Sequence, residues 1–121
     1  MSKAQKRLDK ILECIDNIDF ILNENSLKTI ESINDKIIKP AIRMNIVRIA
    51  EQFAKLKDEN EFKILGHFAD IDLRGISAVR NYIAHDYDST DDSIIEDVIR
   101  YNLPILKNTI NSFYGVFYGK K

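Results

Sequence analysis

Apolar residues recur at steps of three and four through most of this chain, and that periodicity constrains the fold more than any other feature. Leu8, Ile11, Leu12, Ile15, Ile18 and Leu22 fall on one stripe of a helix, which predicts a first helix over residues 3 to 23. The many isoleucines would suit strands equally well. Four Gly, two Pro and the absence of Asn-Gly or Asp-Gly turns favour helices instead. The polar run at 23 to 26 interrupts the pattern, and Ser26 is a credible N-cap for a short helix through Ile33. A second long pattern, Ile38, Ile42, Ile46, Ile49, Phe53 and Leu56, predicts a helix at about 39 to 57 with Pro40 tolerated near its start. Residues 57 to 61 form a polar joint. Phe62, Ile64, Leu65 and Phe68 make a short apolar piece, with Gly66 and Gly75 as punctuation, and a helix is expected from about 73 to 85. Residues 86 to 93 read as a loop ending in a cap. The last helix then carries Asp91, Asp92, Glu96 and Asp97 in its first turns, where the helix dipole favours negative charge. It should bury Ile95, Ile99, Leu106, Ile110, Phe113 and Phe117, be kinked or split by Pro104, and stop at Gly119. With 121 residues and no repeats or linkers, the expectation is a single domain over residues 1–121. Its class is all-α, an antiparallel bundle of four to five helices.

Composition narrows the function classes. One cysteine, Cys14, excludes an intrachain disulfide framework and a four-cysteine zinc site. Eighteen Lys and Arg against nineteen Asp and Glu give a net charge of -1, so any nucleic-acid partner must be met by a local patch. The charged N-terminus lacks an apolar leader core, and no stretch of ~18 uncharged apolar residues occurs. A soluble cytoplasmic domain without membrane association is expected. The chain has no phosphate-binding glycine loop, nucleophile elbow, HExxH pair or Cys/His ligand cluster, so neither a metal nor a cofactor is expected.

Two histidines remain. His67 has no ligand-type neighbours at metal spacing and reads as a packing residue. His85 ends the segment Arg80-Asn81-Tyr82-Ile83-Ala84-His85, followed by Asp86 and Tyr87. On a helix, Asn81 and His85 lie one turn apart on a shared face, and Arg80 is about 100° from Asn81. Arginine can hold a phosphate through two hydrogen bonds, and histidine exchanges a proton near neutral pH. An RNA phosphodiester carries its own nucleophile in the 2′-OH, so a cation and a general acid or base suffice in principle to cleave it without a metal. The competing reading is structural: such residues near a helix end also cap carbonyls or pair with carboxylates, and Asp72, Asp86 and Asp88 are available.

The spacing Arg80, four residues, His85, one residue, Tyr87 resembles the signature of the HEPN superfamily, and within it the HepT-like toxin branch associated with minimal nucleotidyltransferases. Residues 41 to 56 resemble the long central helix of that branch, with Ile49-Ala50-Glu51 at its Ile-(Gly/Ala)-Glu position. The polar-acidic stretch after the motif and Leu103-Pro104 also fit. One departure is visible: branch members commonly carry Pro-Trp ahead of the motif, whereas this chain has Asp72-Leu73 and no Trp.

The resemblance implies a metal-independent endoribonuclease acting as a homodimer, with the Arg and His of both subunits facing one cleft. Arg80 would neutralise the scissile phosphate, His85 would act as acid or base, and Asn81 would orient one of them or the RNA substrate. Tyr87 corresponds to the tyrosine that a cognate nucleotidyltransferase antitoxin modifies with AMP. Tyr82 and Tyr101 do not match that position and read as packing residues. From Asp86 to Asp97 there are six acidic residues and no basic one, ordinarily a solvated loop and helix start, otherwise a docking surface for a basic partner. Basic residues elsewhere are Lys3, Lys6, Arg7 and Lys10, and Lys36, Lys39, Arg43 and Arg48. The alternative to a toxin nuclease is a non-catalytic HEPN module that binds nucleotide or a nucleotidyltransferase partner. A blander one is a helical interaction domain with a structural Arg80–His85 pair.

Overall fold

A computed structural model describes residues 2–24, 38–85 and 92–117. Among these residues the secondary structure is helical, with no strand. The elements are α1 (Lys3–Glu24), α2 (Ile38–Asp58), the single turn α3 (Phe62–Leu65), α4 (Asp70–Ala84), α5 (Asp92–Asp97), a π-helical turn (Val98–Asn102) and α6 (Leu103–Phe117). The all-α expectation holds. The short helix expected from Ser26 to Ile33 and the stop at Gly119 lie outside the described residues.

The stripes seen in sequence are the buried faces. Leu8, Ile11, Ile15 and Ile18 of α1 meet Ile42, Ile46, Ile49 and Leu56 of α2, with Ile76 of α4 and Ile95, Leu106 and Ile110 of the last helical run completing the core. Each buried aliphatic side chain of this kind contributes about 1.5–3 kcal/mol over its exposed state. Polar contacts fix direction. Arg7 grips Glu59 through Nε (3.3 Å) and Nη2 (2.9 Å), and Asn17 donates to Asn45 Oδ1 at 3.2 Å, so α1 and α2 run antiparallel. Lys107 reaches Asp16 at 3.1 Å, and the Tyr114 hydroxyl bonds the Gln5 carbonyl (3.2 Å) and the Asp9 carboxylate, which makes α6 antiparallel to α1 as well.

Helix α2 ends in a paired-carbonyl cap. Asn60 has φ of 59°, Glu61 N–H donates to Leu56 O at 3.0 Å and Asn60 N–H to Lys57 O at 3.0 Å. Asparagine tolerates this left-handed conformation better than most residues, so the joint at 57 to 61 is a defined stop.

Pro104 acts through the turn before it. A proline here cannot donate to the Arg100 carbonyl, and its ring would crowd that carbonyl in a regular α-helix. The chain widens instead: Leu103 N–H bonds Val98 O, five residues back, and Asp97 and Leu103 keep helical backbone angles at either end. The expected kink or split is therefore a π turn inside a run that stays helical from Asp92 to Phe117.

Candidate functional site

Helix α4 carries the motif and begins three residues earlier than its apolar pattern suggests. Its N-cap, Ala69, has no side chain to bond the first N–H groups, and the helix dipole is met by Asp70 and Asp72 in the first turn. Asp70 pairs with Arg74 at 2.8 Å. Asp72 is turned inward, only 8% exposed, and accepts a 2.9 Å hydrogen bond from Asn102 Nδ2 of the π turn. It is engaged there with the last helical run, in answer to the suggestion that it might pair with the motif.

Two turns further on, Arg80, Asn81 and His85 are all exposed, while Ile76 and Val79 point into the core. The Arg80 guanidinium donates from Nη1 to Asn81 Oδ1 at 3.4 Å, the long end for such a bond. His85 is the C-cap residue, and its backbone N–H bonds the Asn81 carbonyl at 3.1 Å. The helix thus presents a guanidinium, an amide and an imidazole together at its C-terminal end, the amide beside the cation. Asp86, Tyr87 and Asp88 lie outside the described residues. Among the described residues no three His, Cys, Asp or Glu side chains cluster as a metal site.

Against the N-terminal half of α4, ahead of the motif, a groove of about 490 Å³ opens between α2, α3 and α4. Ala50, Phe53 and Ile76 form its buried floor, and Phe53 is held edge-on against Phe68 with ring centroids 5.1 Å apart. Leu65 and Leu73 are half-buried walls, and Ala54, Lys57, Phe62, Asp70, Arg74 and Ser77 make an exposed rim. No sequence signal pointed to this groove, because it exists only where the two long helices and the α3 turn meet.

Several surface expectations sharpen. Tyr82 and Tyr101 are not core packing residues: they are 40% and 63% exposed. His67 is exposed, its ring 5.1 Å from that of Phe113 in an edge-to-face contact. In the basic N-terminus, Lys3 and Arg7 are engaged with Glu59 and Lys10 with Glu13, while Lys6 is exposed. On α2, Arg43 is half-buried and Arg48 exposed. Cys14 is buried, and burial pushes its thiol above the usual range, with Arg48 pulling weakly the other way. Among the described residues no helix is long and apolar enough to cross a membrane.

Neither curated proteins nor solved structures provide a match to this chain. A protein-family profile does, and it takes in α2, α4 with Arg80, Asn81 and His85, the π turn and most of α6 and α1. It is described as "Ribonuclease HepT-like" and matches residues 11–113, so the chain belongs to the HepT-like ribonuclease family.

Proposed function

We propose that this chain is the toxin of a toxin–antitoxin pair, a metal-independent endoribonuclease whose catalytic residues are Arg80 and His85. The observation that carries the reading is the exposed grouping of Arg80, Asn81 and His85 on the last turns of α4 in a chain of this family. The 2′-oxygen attacks the adjacent phosphorus, the P–O5′ bond breaks, and a 2′,3′-cyclic phosphate and a 5′-hydroxyl result. One proton leaves the 2′-OH and one is delivered to the 5′-oxygen. Arg80 neutralises the charge that builds on the phosphoryl oxygens, and Asn81, bonded to its guanidinium, orients it. A His85 imidazole performs one proton transfer. The other falls to a second His85 when two chains face one another across the RNA, which is why a homodimer is expected.

Tyr87 is the residue a cognate minimal nucleotidyltransferase antitoxin would modify. An AMP group two residues along the sequence from His85 would add negative charge that repels RNA and competes for the Arg80 guanidinium. The decisive experiment incubates the purified protein with RNA in EDTA beside Arg80→Ala and His85→Ala. Cleavage by the parent and a loss of about 10²–10⁴-fold in the variants is expected. Equal cleavage by all three would sink the assignment. A parent that is inert but binds the nucleotidyltransferase points to the non-catalytic module. Intact mass after incubation with that partner and ATP should rise by AMP increments, and Tyr87→Phe should abolish the rise.

A further inference from the structure

Tyr82 sits inside the motif, and the chemistry above leaves it without a role. Around the axis of α4, at about 100° per residue, Asn81 marks the centre of the exposed face, with Arg80 about 100° to one side and Tyr82 about 100° to the other. Val79 and Ile83 lie opposite Asn81, one buried and the other half-buried, and hold this end of the helix to the core. His85, whose backbone is still helical, falls between Asn81 and Tyr82, about 40° from the first and about 60° from the second. Three residues apart on a helix, Tyr82 and His85 are surface neighbours, their Cβ atoms ~5–6 Å from one another. The 3.4 Å bond to Asn81 draws the Arg80 guanidinium over the same face. The helix end thus offers, in order around its surface, a cation, an amide, an imidazole and an aromatic ring.

Tyr82 is 40% exposed, and Ala78, the exposed residue one turn before it, is too small to cover the ring. A protein contact draws on a cluster of apolar side chains, and among the described residues none surrounds Tyr82. Of the other large exposed apolar residues, Ile71 is eleven residues back on α4, about 16 Å along the axis. Phe62 lies in the turn before α4, and Tyr101 adjoins Asn102, whose bond to Asp72 sets it beside the first turn of α4. Met44 is on the side of α2 away from α4, about 130° from the residues that line the groove there.

A single exposed ring set among polar groups suits a nucleobase, which needs one flat face to stack on and a cation for the phosphate beside it. We infer that Tyr82 is a base-stacking residue. The scissile phosphate lies over Arg80, Asn81 and His85, and the base of the nucleotide on the His85 side stacks on the Tyr82 ring. The inference rests on the ribonuclease reading above and deepens it by giving the site a preference for unpaired RNA, since a base locked in a duplex cannot turn onto the ring.

The test uses a short single-stranded 2′-fluoro RNA carrying 2-aminopurine, which lacks the 2′-OH and cannot be cleaved by this chemistry. Binding to the full chain should quench the 2-aminopurine as it stacks. Tyr82→Ala should weaken binding by roughly ten-fold, within the range for loss of one stacked base. Tyr82→Leu, which keeps apolar bulk but no ring, should weaken it comparably, whereas Tyr82→Phe keeps the ring and should bind as the parent does. The exposed Ile105→Ala, on another helix, leaves binding unchanged. Unaltered affinity in both the Ala and Leu variants, equal affinity of the parent for an oligonucleotide of the same length with abasic sites, or no RNA binding by the parent would overturn the proposal. So would normal RNA binding by Tyr82→Ala combined with loss of self-association or of the nucleotidyltransferase, which would assign the ring to a protein contact. Cleavage plays no part in these titrations, so failure of the nuclease reading shows separately, as an absence of product from unmodified RNA.

Discussion

On the proposed ribonuclease reading, Arg80 acts as a guanidinium and not merely as a positive charge. Its neighbour Asn81 accepts from one Nη, which leaves the planar fork oriented for two parallel bonds to a phosphate. An ammonium is a point charge and cannot reproduce that fork. Arg80→Lys is therefore expected to lose about 10-fold or more in kcat with a smaller change in KM, measured by initial rates on a defined RNA. A variant with unchanged kcat would reduce Arg80 to an electrostatic contact. The residues of the motif were legible in the sequence because helical spacing is local: Arg80, Asn81 and His85 share one helix end whatever surrounds it. The groove between α2, α3 and α4 depends on how α2 lies against α4, which no local pattern encodes.

At the scale of elements, the π turn and α4 are joined by a half-buried hydrogen bond. Asp72 and Asn102 lie thirty residues apart in sequence, and a Cβ added at Gly75 would stand 3.9 Å from Asn102 Nδ2, an ordinary contact, so the bond does not depend on that glycine. Asp72→Ala strands the Asn102 amide and should cost about 1–3 kcal/mol of stability. Asp72→Asn keeps an acceptor and should cost less; urea unfolding of the two variants decides the matter. The long helices were legible because Ile and Leu at three- and four-residue steps leave little alternative. The start of α4 is hidden in the sequence for two physical reasons: Ala69 offers no side-chain cap, and the inward Asp72 breaks an apolar pattern while occupying a core position. Pro104 announced an irregularity, but its form depended on the five-residue bond from Leu103 to Val98.

For the whole molecule, polar ties at the bundle ends matter more than their number suggests. Hydrogen bonding from Arg7, then from Lys3, holds the Glu59 carboxyl below its usual range, with burial acting the other way. A folded-state pKa below the unfolded value means that this contribution is fully present above the unfolded carboxylate value of about 4.3. It is lost as pH falls through the folded-state value. Thermal unfolding from pH 6 down to about 3 should show the parent losing stability steeply on the acid side and Glu59→Gln losing less. Parallel curves would show that the tie contributes nothing to acid sensitivity. The Tyr114 contact has a different consequence. Its hydroxyl bridges from the last helix to Gln5 and Asp9, across sequence separations of 109 and 105 residues. Loop closure over such separations is among the slow steps of assembly. A backbone-cyclised chain, joined through a short flexible linker, would turn these most distant contacts into neighbours. It should refold faster in stopped-flow experiments and melt higher, with the helix that carries Arg80 and His85 untouched.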